Sequence, residues 1–247
     1  MYVDAPRYLL RKFCALKLLK DVPRGEVLEI GCGAGSFSAV LVRRGFKVKA
    51  IDTSSAAVEL CRERLNGSIE AGDLSVELKD FQEVKGTFDG VFMFEVLEHL
   101  EFDRAAVKDI HSMIHDGGHL FISVPANQAW FGPFDAFVGH YRRYDRQDLL
   151  RLLFEEGFQV ERCWSYGVPL ANVTEWIRNR IYRSRSVESM EEGTRQSGIR
   201  RDIEYRFRYF LNDFFMFPFY LLQMLFTGRD WGTGLIVRAR KVAKRNH

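Results

Sequence analysis

The chain has 247 residues, enough for one α/β domain with an embellishment and for a large buried core. With 47% hydrophobic and 28% charged residues it has the composition of a soluble globular protein, and a formal net charge of +3 supports neither a nucleic-acid nor a membrane partner strongly. Cys14, Cys32, Cys61 and Cys163 are widely spaced without a C-x-x-C pair, so reduced, mostly buried thiols, a cytoplasmic compartment and no metal are expected.

Residues 1–6 carry no charged stretch followed by an apolar core, and no signal peptide is expected there. Residues 6–21 read as an amphipathic helix with Leu9, Leu10, Phe13 and Leu16 on one face, packed as a lid beside a ligand site. Val27, Leu28 and Ile30 then form a short buried strand that breaks into Gly31, Gly33 and Gly35 and restarts as a helix through Phe37, Val40 and Leu41. A strand, a glycine turn and a helix N-terminus are the setting for a nucleotide-like cofactor in a doubly wound sheet. The glycines fall as G-x-G-x-G, with Ser36 where the dinucleotide fingerprint has its third glycine. Glu29, two residues ahead of the turn, suits a cationic group better than a pyrophosphate. A second strand over 46–52 ends in Asp52, placed to accept hydrogen bonds from ribose hydroxyls, and a helix over 54–65 starts at Ser54 or Ser55.

These residues resemble the class I S-adenosylmethionine-dependent methyltransferases, whose first motif reads E/D-x-G-x-G-x-G with an acid ending the second strand. The resemblance implies a Rossmann-like, seven-stranded, mostly parallel sheet with an antiparallel last strand inserted between the fifth and sixth, and helices on both faces. It implies S-adenosyl-L-methionine as cofactor, held by Glu29, Gly31, Cys32, Gly33, Gly35, Asp52 and Thr53. A third strand is expected over 69–73; Asp73 at its end then matches the family's adenine-binding acid, with Leu74 adding apolar contacts. The pattern F-D-x-V-x-x-x-E-V-L-E-H-L from Phe88 to Leu100 is similar to the fourth motif of small-molecule members and puts Glu95 near the cofactor.

A helix over 104–115, a turn at Asp116-Gly117-Gly118 and a fifth strand over 119–124 follow, and the strand–helix alternation argues for a parallel sheet. Residues 126–144 are aromatic and glycine-rich without a period, and are expected as a loop walling an acceptor pocket through Trp130, Phe134, Tyr141, Arg143, Tyr144 and, from the sixth strand, Tyr166. The run from His140 to Tyr144 resembles a segment of bacterial methyltransferases of glycan and natural-product pathways, and its arginines suit an anionic acceptor. Methyl transfer needs no enzyme nucleophile, so His99 and His140 are the candidate catalytic residues, as bases near neutral pH. Asp145 is expected to cap a helix through residue 156, before a sixth strand over 158–166.

Residues 168–230 interrupt the core. Within 176–208 nine arginines face five acids, 184–197 reads as a mobile polar loop, and 209–226 is strongly apolar but contains Asn212, Asp213, Pro218 and Gln223. A spanning helix is disfavoured there; a buried helical pair lining a cleft is preferred, with peripheral membrane contact as an option. The expectation is one domain over 1–247, with a cofactor core at 26–167 and 231–241 and a helical acceptor cap at 168–230. Its function would be transfer of a methyl group to oxygen or nitrogen of a small-molecule, glycan or lipid-linked acceptor. An RNA methyltransferase is the alternative, but no amide-binding motif ends the fourth strand and no nucleic-acid module appears; a non-catalytic cofactor-binding partner is a further one, against which the intact acids count.

Overall fold

The computed structural model describes residues 6–182 and 213–242. Seven strands form one sheet: β1 (Glu26–Ile30), β2 (Lys47–Asp52), β3 (Leu74–Leu78), β4 (Phe88–Phe94), β5 (Ile114–Pro125), β6 (Phe158–Tyr166) and β7 (Gly234–Lys241). Their order is β3-β2-β1-β4-β5-β7-β6, and β7 runs antiparallel to both of its neighbours. The order reverses between β1 and β4, which opens a crevice beyond their carboxyl ends, where doubly wound sheets take ligands.

Nine helices are described: α1 (Pro6–Leu18), α2 (Ser38–Arg43), α3 (Ser55–Arg64), α4 (Asn66–Glu70), α5 (Asp103–Ser112), α6 (Pro133–Phe137), α7 (Arg146–Glu155), α8 (Leu170–Tyr182) and α9 (Asp213–Met224). Alternation along the central strands sorts their side chains into two cores. Leu28, Ile30, Val91, Met93 and Ile122 pack against α5 and α7, whereas Val27, Phe92, Phe94 and Phe121 pack with residues of α1, α2 and α3. A third cluster joins Leu9 and Leu10 of α1 to Ala171 of α8 and Met216 and Tyr220 of α9.

Several sequence expectations change. α5 stops at Ser112, and the turn expected at Asp116-Gly117-Gly118 lies inside β5. Residues 66–70 are helical and the third strand begins at Leu74, where the expected one had ended. The alternation Leu74-Ser75-Val76-Glu77-Leu78 is the period-2 signal for it. The loop over 126–144 holds a short 3-10 turn at Gln128–Trp130 and the helix α6, started by Pro133. Asp145 stands at the N-cap of α7 but gives its carboxylate to the Gln128 amide, at 3.1 Å, rather than to the helix. The polar run 184–197 lies outside the described residues, as do all the arginines of 176–208 except Arg178 and Arg180. No helix among the described residues is long and apolar enough to cross a membrane; α9 carries Pro218 within it.

Candidate functional site

The turn after β1 is set by its backbone. Gly31, Gly33 and Gly35 have φ of 74°, 54° and 75°, a region side chains disfavour. The amides of Gly31 and Cys32 both donate to the Ile51 carbonyl, which locks the turn onto the end of β2. Asp52 completes the lock: its carboxylate accepts the Gly33 amide at 2.8 Å and the Ser54 amide at 2.9 Å. Neighbouring side chains also forbid a methyl at two of the glycines. A Cβ on Gly31 would lie 2.4 Å from Val96 Cγ2, and one on Gly35 would lie 2.5 Å from Cys61 Sγ. A Cβ on Gly33 would meet nothing within 4 Å. The Cys32 side chain is buried in the core, so only its backbone faces the turn, and Thr53 is exposed beyond β2.

Glu29 is buried on β1 and accepts the Ser38 hydroxyl at 2.5 Å. Burial pushes its carboxyl up to about 8, against the opposing effect of the Ser38 hydrogen bond. A carboxyl raised in this way keeps, between about pH 4.5 and 8, a proton that the unfolded chain has released, so it removes stability as pH rises through that window. Glu29→Gln is therefore expected to leave the melting temperature of cofactor-free protein unchanged at pH 4.5 and to raise it by several degrees at pH 8. Scanning fluorimetry across that range checks it; parallel profiles for the two proteins would contradict it.

Glu95 follows β4 with φ of 58° and sits in a cage of donors. Arg7 reaches it at 2.8 Å and Arg11 at 3.8 Å, while the Tyr166 and Ser123 hydroxyls donate at 2.7 and 3.0 Å. Burial favours the neutral form, but the two guanidiniums and two hydroxyls outweigh it and hold Glu95 at about 2. Both arginines come from α1, whose lid position the sequence suggested without giving them a partner. Asp73 and Leu74 do not join this group: they lie at the start of β3, at the end of the sheet away from the crevice, where the Asp73 backbone accepts from the Val48 amide and donates to the Ser68 carbonyl. The acid beyond the crevice end of β3 is Asp80, which caps the turn that buries Phe81.

The expected acceptor wall divides. Arg143 is buried and pairs with Asp135 at 2.8 Å and with Glu175 of α8, and its amide donates to Gln128. Tyr144 is buried in the core, with its hydroxyl donating to Asp103 at 2.9 Å. Neither is free to meet an acceptor; both fasten the loop. Tyr166 is fully buried and holds Glu95. Phe134 packs on Phe137 and Tyr182 beneath the Arg178 guanidinium. Trp130 is part exposed and lines a cavity of about 520 Å³ together with Trp176, Asn172 and Asn179 of α8, and Tyr141 is exposed.

His99 and His140, from different elements, meet with ring centroids 4.6 Å apart. Burial, and then the neighbouring His140, push His99 down to about 4, which keeps it neutral and makes it a weak proton acceptor. Asp135 Oδ1 lies 2.9 Å from His140 Nδ1. Beside them lies Glu98, fully buried and absent from the sequence-derived site because its position shows only in the fold.

Comparison with known proteins gives the family and the fold. Residues 4–162 match the family model described as "Methyltransferase domain". Over 104 residues the chain is 34% identical to the ubiquinone biosynthesis O-methyltransferase of Xanthomonas campestris pv. campestris, a match covering 41% of this chain and 44% of the relative. The chain thus spans less than half the length of the curated relatives it matches. Magnesium protoporphyrin IX methyltransferase from Synechocystis PCC 6803, solved with bound SAH, shares the fold with a TM-score of 0.58 at 16% identity, over 96% of this chain and 82% of that one. An N-methyltransferase from Bradyrhizobium japonicum, solved with S-adenosyl-L-homocysteine, shares it with a TM-score of 0.56 at 17% identity, over 94% and 86%.

Proposed function

The chain belongs to the class I S-adenosylmethionine-dependent methyltransferase family, and from that premise we propose that it transfers a methyl group from S-adenosylmethionine to an oxygen or nitrogen atom of a small-molecule acceptor. The observation that carries the reading is Gly33: its amide is pinned by Asp52, and the place of its missing side chain is open, so a ligand can approach the backbone itself. The residues fit the cofactor. The turn from Gly31 to Gly35 would hold it, with Asp52 accepting from ribose hydroxyls, Asp80 and Phe81 at the adenine end, and Arg11 as the cation for a carboxylate. Bound there, S-adenosylmethionine supplies a sulfonium methyl whose leaving group is a neutral thioether.

The chain's own work is then to align the acceptor, exclude water and handle an acceptor proton. The described parts of the segment 168–230, α8 and α9, act as an acceptor cap over the core at 26–167 and 231–241, with Trp130 lining the cavity beside α8 and Tyr141 exposed for the acceptor. His99 and His140 are the catalytic pair that handles the acceptor's hydroxyl. Exposed apolar side chains on α8 (Val173, Trp176) and α9 (Phe217, Leu221) support an apolar or lipid-linked acceptor and peripheral membrane contact, as does the ubiquinone-biosynthesis relative. Methyl-labelled S-adenosylmethionine offered with a long-chain alkyl phenol in vesicles and with its short water-soluble analogue tests this. Faster transfer to the long-chain phenol is expected; transfer to neither, or equal transfer to both, would contradict the acceptor reading.

A further inference from the structure

Glu98 Oε1 and Oε2 are buried and, apart from the residue's own backbone amide, have no hydrogen-bond partner among the described residues. An unpaired carboxylate in that position is expensive, and its acidity shows the strain: burial and then the nearby charge of Glu95 hold its carboxyl well above the usual range. Its neighbours are two imidazoles. His140 Nε2 lies 3.9 Å from Glu98 Oε1, and one ligand atom from each of Glu98, His99 and His140 falls within 4.8 Å of the others. Each imidazole has one nitrogen engaged elsewhere. His140 Nδ1 is held by Asp135, which is itself anchored by Arg143, and the His99 ring bonds the Gly139 backbone. Each ring can thus turn its other nitrogen toward Glu98. A carboxylate or carbonyl behind a histidine is the support that orients it toward a metal ion.

We propose that Glu98, His99 and His140 bind one divalent cation of the zinc type, with a coordination position left open to the crevice. Two imidazoles and one carboxylate are a donor set for such an ion, whose tetrahedral ligands at about 2.1 Å stand roughly 3.4 Å from one another. The present separations close to that with side-chain rotations of roughly 1 Å, and the cation takes one of the two orphaned oxygens of Glu98 and gives its carboxylate a counter-charge. Cysteine spacing in the sequence pointed to no metal, because these ligands are a short turn after β4 and a loop 40 residues further on, joined only by the fold. The role of the ion, unlike its binding, rests on the methyltransferase reading. Coordination of an acceptor hydroxyl at the open position loosens its proton to water, and the oxygen takes the methyl as the carbon–sulfur bond breaks.

The test uses the chelator-treated full chain, titrated calorimetrically with Zn²⁺ and spectroscopically with Co²⁺. One equivalent is expected to bind, with the visible absorption of a nitrogen- and oxygen-ligated Co²⁺. Glu98→Gln and His140→Gln are each expected to weaken it at least roughly 100-fold, in line with the weight of ligand-shell changes, with circular dichroism and S-adenosylmethionine titration unchanged. His99→Gln serves in place of either variant that fails to fold. No saturable binding by the wild-type chain, or binding undiminished in the folded variants, would overturn the proposal. Loss of S-adenosylmethionine binding by the wild type would overturn the methyltransferase reading and leave the metal site standing.

Discussion

Replacing Arg143 with methionine is expected to destabilise the protein by about 3–5 kcal/mol, the range for breaking a buried ion pair on one side. Folded domains have only roughly 5–15 kcal/mol to lose, so the variant should unfold at a much lower denaturant concentration. The Arg143 guanidinium is closed off from water and is shared between Asp135 and Glu175, with the Ala126 carbonyl as a further acceptor at 3.5 Å. Methionine fills most of the space but leaves two carboxylates buried without their counter-charge. Asp135 is held at about 2 because His140, Arg143 and the Gly132 amide together overcome the burial that would raise it. With Arg143 gone, that balance tips toward protonation. Asp135→Asn combined with Arg143→Met should be less destabilised than the sum of the single changes, since the two groups are in contact. Guanidinium unfolding of the four proteins gives the coupling. A folded, fully stable Arg143→Met protein with weakened acceptor binding would restore the arginine to the anion-binding role that its sequence neighbourhood suggested.

The second large effect concerns Gly33. Gly33→Ala is expected to fold, with a penalty of about 1–2 kcal/mol for alanine in left-handed backbone, because its Cβ meets no protein atom within 4 Å. Cofactor affinity should nevertheless fall roughly 10- to 100-fold, the equivalent of the 1–3 kcal/mol that an inserted methyl costs in a well-packed contact. Gly35→Ala is the contrast: its methyl would lie 2.5 Å from Cys61 Sγ and 2.8 Å from Leu65 Cδ1, so the loss there appears first in stability. Paired melting curves and cofactor titrations separate the two. Unchanged affinity in Gly33→Ala would place the ligand away from the turn.

The strand order and the glycine turn were legible because each rests on local signals: continuous apolar runs at β1 and β4, φ-permissive glycines between strand and helix, and an acid closing β2. The third strand was misplaced by five residues because Gly72-Asp73 reads equally well as the end of one strand or the start of the next. Asp80 was overlooked with it. What the sequence does not show is which charges meet. Arg143 lies in a run of basic and aromatic residues that suits a ligand, yet its partners are Asp135 and, 32 positions away, Glu175. Arg7 and Arg11, on the helix expected as a lid, drew no reading from the sequence, yet they fix Glu95. Glu98 and His140 are likewise 42 positions apart, and only the return of the loop after α6 brings them together.

The central claim is that the turn from Gly31 to Gly35 takes a sulfonium cofactor rather than a dinucleotide. Calorimetric titration of the wild-type chain with S-adenosylmethionine, and separately with NAD, tests it most directly. Saturable binding of S-adenosylmethionine at one site per chain, with no heat from NAD, is the predicted result. Binding of NAD in its place, or of neither, would contradict the account.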